Sequence, residues 1–361
     1  MRLKRRAQMA DQQPNIELGR QVTDNRVMDG STQPRLNWQQ QLADAISDPA
    51  ELLAVLGLDP ALPALDYARR KAFPLRVPRA FVARMQRGDA DDPLFRQVWP
   101  AEAEAITAPG YVTDAVGDLH KLKAGGLIHK YHGRALVIAT GACAVHCRYC
   151  FRQHFPYSDA LAARGRWRDT LAAIAADDSL EEIILSGGDP LALTDDKLAY
   201  FVEALANIPH VRRLRLHTRL PIVLPDRVDD NLIRWLAASP LQKVIVLHAN
   251  HGMEIDSTVS DACASLRGAG ATLLNQAVLL KGINDSTNAL RMLSENLMAC
   301  GVLPYYLHVL DRVQGAAHFE VNDDAAFALM SRLSAQLPGY LLPRLVREIP
   351  GEPAKTLLPW P

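Results

Sequence analysis

The stretch Ala135-Leu136-Val137-Ile138-Ala139-Thr140-Gly141-Ala142-Cys143-Ala144-Val145-His146-Cys147-Arg148-Tyr149-Cys150 sets an apolar run directly against three cysteines. The run is short, uncharged and partly β-branched, as expected of a strand buried on both faces. The cysteines follow on the loop that leaves it, with three and then two residues between them. Structural zinc is usually held by paired Cys-x-x-Cys sets or by mixed Cys and His sets. Three thiolates on one loop instead suit an iron-sulfur cube, with three irons held by the protein and the fourth left for an outside ligand. On spacing alone, a zinc site completed by His146 or His154, or three unrelated thiols, stays open.

Working outward, similar short runs recur at Glu182 to Ser186, Leu214 to Thr218, Val244 to His248, Thr272 to Leu280 and Tyr305 to Leu310. Amphipathic segments lie between them: Trp167 to Ala176, Asp196 to Ile208, Asp229 to Ala238, Ser257 to Arg267 and Thr287 to Cys300. Parallel strands need a covering crossover, so the alternation predicts an α/β fold with a parallel sheet. Six strand-helix units fall short of the eight that close a full barrel, which predicts a partial, open (β/α)6 barrel. Chemistry in such folds sits at the C-terminal strand ends, where the cysteine loop falls. Ser186-Gly187-Gly188-Asp189-Pro190 falls there too, and glycines let a backbone approach a ligand closely, although an ordinary turn would use them as well.

Upstream, residues 1–35 are polar and aperiodic and read as a flexible arm. Residues 36–110 read as a helical N-terminal region, with Leu42, Ile46, Leu52, Leu53, Val55 and Leu56 at helical spacings, and residues 111–361 as the barrel with a C-terminal segment. The chain has 361 residues, 48% of them hydrophobic, enough for a substantial core. Its 40 basic and 40 acidic side chains cancel, which argues against a nucleic-acid partner. No apolar stretch reaches the roughly 18 residues of a membrane helix. Arg2, Lys4, Arg5 and Arg6 are not followed by an apolar secretory core, so the expected location is the cytoplasm, away from membranes. Five cysteines, three of them clustered, do not resemble a disulfide framework, and Cys263 and Cys300 are expected as helix-core thiols.

The cysteine loop resembles the CxxxCxxC signature of the radical S-adenosylmethionine superfamily. That resemblance implies a [4Fe-4S] cluster on Cys143, Cys147 and Cys150, whose open iron chelates S-adenosylmethionine and whose electron releases a 5′-deoxyadenosyl radical. It also implies that Ser186, Gly187, Gly188 and Asp189 hold the methionyl amino group. Further segments narrow the resemblance to the lysine 2,3-aminomutase family: His129 to Arg134, Cys150-Phe151-Arg152, Leu185 to Leu191, His248-Ala249-Asn250-His251, Leu279 to Asp285, Tyr305-Tyr306 with Asp311, and Pro350 to Lys355.

Membership of that family would make the protein an isomerase that turns L-lysine into β-lysine. Lys355 matches the lysine that carries pyridoxal 5′-phosphate, Arg152 the group that pairs with the substrate carboxylate, and Asp311 with Glu348 the acidic pair that receives the distant ammonium. Lys130, Tyr131 and Arg134 match a basic and aromatic patch near the coenzyme, and His248 and Gln276 match positions facing S-adenosylmethionine. Two departures stand out: Gly-Glu-Pro-Ala replaces a glycine-rich run before Lys355, and Glu348 replaces an aspartate.

The chain ends six residues after Lys355. In this it resembles the short (R)-β-lysine 2,3-aminomutases that serve translation elongation factor P, which implies a separate ligase that attaches the product and an external electron donor for the cluster. The rival expectations are a stand-alone metabolic aminomutase, acting on lysine or another amino acid, and a non-catalytic iron-sulfur protein. The last would not need Lys355, Arg152 and the acidic pair together.

Overall fold

The structure is a computed structural model that describes residues 36–64, 66, 71–123, 126–157 and 167–360. The arm expected at 1–35 lies outside the described residues. One ten-stranded sheet runs in the spatial order of the sequence: β1 (Leu122–Lys123), β2 (Leu127–Tyr131), β3 (Arg134–Thr140), β4 (Glu182–Gly187), β5 (Arg213–Thr218), β6 (Gln242–Leu247), β7 (Ala271–Val278), β8 (Leu303–His308), β9 (Arg344–Arg347) and β10 (Thr356–Leu357). Strands β3 to β9 pair in parallel, with Ile183 opposite both Ala135 and Leu214, for example. Short antiparallel pairs flank them at either edge.

A helix covers each parallel crossover. N-terminal to these lie α1 (Trp38–Ala43), α2 (Pro49–Leu56) and α3 (Arg79–Val82); the crossovers are α4 (Trp167–Ala175), α5 (Asp195–Ala206), α6 (Leu220–Val223) with α7 (Asp230–Ala238), α8 (Ser257–Gly268), α9 (Thr287–Ala299) and α10 (Asp323–Ser334). Local chemistry sets several of the starts. The side chains of Asp229, Asp256, Ser286 and Asn322 accept from the backbone N–H three residues on, at 2.9, 3.0, 3.2 and 2.9 Å, satisfying first-turn donors. Cys263 lies buried on α8 and Cys300 is buried at the end of α9.

Strand side chains alternate between two environments. Ile183, Leu185, Leu214, Leu216 and Leu307 pack in the core, while Ile184, Ser186, Arg215, His217, Tyr306 and His308 face an internal cavity. The sheet must bend strongly to make that cavity. Tyr131 on β2 donates a hydrogen bond to Glu348 just past β9. In a flat sheet those strands would stand about 34 Å apart at the usual spacing of about 4.8 Å. The sheet stays open at its edges, since β1 and β10 do not pair with each other.

Residues 36–110 hold α1, α2, α3 and a 3₁₀ turn at Glu102–Ala105, linked by turns. They buttress the cysteine loop by backbone bonds: His146 N–H donates to Arg76 O at 3.0 Å and Arg148 N–H to Gln97 O at 2.9 Å. Arg148 is itself held at 2.8 Å by Glu104.

Candidate active site

A cavity of about 690 Å³ opens at the C-terminal ends of the parallel strands, and every candidate residue read from the sequence lines it. The wall includes Cys143, Cys147, Cys150, Arg152, Ser186, Gly187, Gly188, Asp189, His248, Gln276 and Asp311. Lys130, Tyr131, Arg134, Glu348 and Lys355 complete the set. Nothing in the sequence spacing alone required the residues at 130–134 and 348–355 to meet. The bend of the sheet brings them together.

The three thiols are free and partly accessible. Burial raises the Cys143 pKa well above its usual value and pushes Cys150 up to about 11, and neighbouring thiol groups add to both shifts. The histidines that could complete a zinc set are engaged elsewhere: His146 Nδ1 lies 2.8 Å from Pro74 O with its ring stacked on Phe73, and His154 Nε2 lies 3.1 Å from Gln314 O. Among the described residues, no three His, Cys, Asp or Glu groups converge as a single bound ion would require. Three thiols without a fourth protein ligand fit an iron-sulfur cube with one open iron.

The glycine pair has a specific steric origin. Gly188 N–H donates to Thr140 O at 2.7 Å and Asp189 N–H to Ala142 O at 2.8 Å, lacing the end of β4 to the cysteine loop. A Cβ on Gly188 would lie 2.3 Å from Ala142 O. Gly187 has φ +116°, and its Cβ would lie 2.5 Å from Thr140 O, so a side chain is excluded twice over. The Asp189 carboxylate points inward and accepts from Thr218 Oγ1 at 2.7 Å and from the backbone N–H groups of Leu191, Arg219 and Leu220 at 3.0, 2.7 and 3.0 Å. In this structure it ties its own loop to the one after β5.

A chain of charges crosses the cavity. Lys355 Nζ donates to Glu348 Oε2 at 2.6 Å, and Glu348 also receives Tyr131 and lies 3.6 Å from Lys130 Nζ. Lys130 reaches Asp118 at 2.5 Å, and Asp118 accepts from Arg152 Nε at 2.7 Å. Arg152 Nη1 then donates to Ser186 Oγ at 3.1 Å, and no described protein group takes its Nη2. Burial raises the Glu348 carboxyl pKa, but Lys355, Tyr131 and Lys130 together outweigh it and hold the group low. The Asp118 carboxyl is likewise held low by Arg152 and Lys130 against the effect of burial. Among the described residues, Asp311 has no such hydrogen-bond partner. Burial pushes it up to about 7, Glu348 adds to the rise and Lys355 opposes it.

The Arg134 guanidinium lies over the Tyr131 ring at 4.7 Å and makes no ion pair among the described residues. His248 Nε2 is 3.1 Å from Gln276 Nε2, and burial, followed by Arg219 and Arg152, pushes the imidazole down to about 3. His217 and His308 are also held neutral, first by burial, and the Nε2 of each has no partner among the described residues. Two buried polar atoms left unpaired in a cavity wall suit a polar ligand. Sequence reading did not single out Asp118, Arg219, His217 or His308. The last three lie at strand ends, where a charged or imidazole side chain after an apolar run was the available signal, but nothing around Asp118 marked it.

No family model matches the chain. It is 49% identical over 329 residues to a protein of Escherichia coli (strain K12) named L-lysine 2,3-aminomutase, covering 91% of this chain and 96% of that one. A namesake from Haemophilus influenzae is 46% identical over 89% of this chain and 95% of its own. Another, from Clostridium subterminale, is 31% identical over 79% of this chain and 69% of its own. Among solved structures, a radical SAM methyltransferase from Sphaerobacter thermophilus superposes over 61% of this chain and 68% of its own, with a TM-score of 0.41 and 18% identity.

Proposed function

We infer, from the fact that the chain belongs to the L-lysine 2,3-aminomutase family, that the cavity binds L-lysine and that the protein is an isomerase moving the α-amino group of lysine to its β-carbon. The observation that carries this reading is the polarity of the cavity. An arginine whose Nη2 and a carboxyl whose oxygens have no hydrogen-bond partner among the described residues share a wall with three thiols and Lys355.

Cys143, Cys147 and Cys150 would hold a [4Fe-4S] cluster. The Ser186-Gly187-Gly188 edge, with His248 and Gln276, would face S-adenosylmethionine, and Asp189 would act from behind by keeping that edge in place. Lys355 would carry pyridoxal 5′-phosphate, and Arg134, without an ion pair among the described residues, suits its phosphate better than Lys130, which is already shared between Asp118 and Glu348. When bound, these groups would supply radical chemistry and electron delocalisation for moving the nitrogen.

The chain's own residues supply binding and orientation. Arg152, fixed through Nε by Asp118, presents Nη2 to the lysine carboxylate. Asp311 and Glu348 receive the distant ammonium, and Glu348 also takes the charge of Lys355 whenever that amine is free and protonated. The neutral imidazoles of His217, His248 and His308 add polar contacts without adding positive charge beside the ammonium. The buried wall keeps water away from reactive species.

The product is β-lysine, and its destination is translation elongation factor P, by way of a separate ligase. Support for that finer reading comes from the higher identity to relatives that this chain spans almost completely, 49% and 46% against 31%. The test is anaerobic reconstitution with iron, sulfide, S-adenosylmethionine, pyridoxal phosphate and a reductant, followed by chiral analysis of lysine turnover. β-Lysine is expected from the unaltered protein and none from Lys355→Ala. No β-lysine from the former, or undiminished turnover by the latter, overturns the reading. Ligase and elongation factor P added to the same mixture should gain the β-lysyl mass, and failure to do so with active ligase rejects the destination alone.

A further inference from the structure

Arg219, directly after β5, has no part in the reading above, yet both of its Nη atoms are engaged and it is 5% exposed. Its Nη1 donates to Cys147 Sγ and to Tyr149 Oη, both at 2.7 Å. Its Nη2 donates to Gln97 Oε1 at 2.7 Å and to Glu254 Oε2 at 2.9 Å. Glu254 is fully buried, and its other oxygen accepts from Asn250 N–H at 2.8 Å, His251 N–H at 3.1 Å and Gln97 Nε2 at 3.0 Å. The guanidinium is therefore clamped on its far side and aimed at the cysteine sulfur. A brace alone would need only Tyr149 and Glu254, whereas this arginine places a fixed positive charge on a cluster ligand.

We propose that Arg219 is a positioning residue that sets the reduction potential of the iron-sulfur cluster through its hydrogen bond to Cys147, with Glu254 as the opposing charge. This rests on the reading of Cys143, Cys147 and Cys150 as cluster ligands. In the step concerned, one electron enters the cluster from an external one-electron reductant, and no bond forms or breaks. The added negative charge is shared with the ligand sulfurs. A hydrogen bond and a buried cation at Cys147 stabilise the reduced state more than the oxidised one and raise the potential. Glu254, 2.9 Å from the same guanidinium, cancels part of that effect. The arginine thus makes the cluster easier to reduce, and the glutamate limits how far.

The test is a potentiometric titration, followed by electron paramagnetic resonance, of the reconstituted full chain without S-adenosylmethionine, with iron content measured for each variant. Arg219→Met should titrate at a lower potential than the unaltered protein, Arg219→Lys should return most of the difference, and Glu254→Gln should shift the potential upward. Equal potentials, shifts of the same sign for Arg219→Met and Glu254→Gln, or loss of the cluster from every variant would overturn the proposal and leave Arg219 as a brace. Absence of a four-iron cluster from the unaltered protein would refute the underlying ligand reading, a result distinct from any of these.

Discussion

Asp311 is the residue whose environment makes the sharpest demand. Its carboxyl, pushed up to about 7 chiefly by burial, would titrate near 3.9 in an unfolded chain. Between those values the folded protein binds the extra proton, so the stability of the empty protein falls as pH rises from about 4 to about 7. Below that window the burial costs nothing through ionisation. Asp311→Asn should therefore raise the melting temperature at pH 8 and leave it unchanged at pH 4, as read by thermal unfolding at the two pH values. The same substitution should weaken lysine binding by roughly a hundred- to a few thousandfold, since stripping one partner from a buried ion pair costs roughly 3–5 kcal/mol. In the unaltered protein, KM for lysine should fall between pH 6 and pH 8 as the carboxylate forms. The cysteines and Lys355 stood out in the sequence because their spacing or motif belongs to a small set of chemistries. Asp118 was not, because its meaning lies in meeting Lys130 and Arg152, which no local pattern encodes. Glu348 was read as a partner for the substrate, and the fold adds that its longer arm already reaches Lys355 and Tyr131.

At the scale of elements, the contact between β4 and the cysteine loop is the joint on which the site depends. Gly188→Ala would put a methyl group 2.3 Å from Ala142 O, against backbone that cannot rotate away. The expected outcome is a folded protein that binds substantially less iron, measured by circular dichroism and iron analysis of the same sample. Gly268→Ala, at the end of α8 with nothing within 4 Å of the added carbon, should hold iron normally and be neutral to slightly stabilising. Normal iron content in Gly188→Ala would show that the lacing is not needed. The crossover helices α4, α5, α7, α8 and α9 and the strands β3 to β8 were readable because each carries an apolar periodicity of its own, whereas α6 and α10 were not singled out. Strand β8 begins at Leu303, ahead of the expected Tyr305, because Pro304 is accommodated beside a register shift between Asn275 and Gln276 on β7. The edge strands β1 and β10 span two residues each and β9 four, too short to leave a periodic signal.

For the whole molecule, the decisive feature is how far the sheet turns. Seven parallel strands carry the cysteines near one end and Lys355 beyond the other, and the bend closes that separation until Tyr131 touches Glu348. Six of the seven parallel strands were visible in the sequence, but β9 and the curvature were not: β9 is only four residues long, and the curvature depends on contacts between residues more than 200 positions apart. No helix among the described residues is long and apolar enough to cross a membrane. The account assigns the two ends of this sheet to one reaction: the amino group leaves the α-carbon of lysine and a hydrogen takes its place from the β-carbon. The most direct measurement of that claim uses L-lysine deuterated at the β-carbon with the fully reconstituted enzyme, and mass spectrometry and NMR of the products. Deuterium recovered on the α-carbon of β-lysine and in 5′-deoxyadenosine is the predicted result. Deuterium lost only to water, or retained entirely on the β-carbon of the product, would contradict the account.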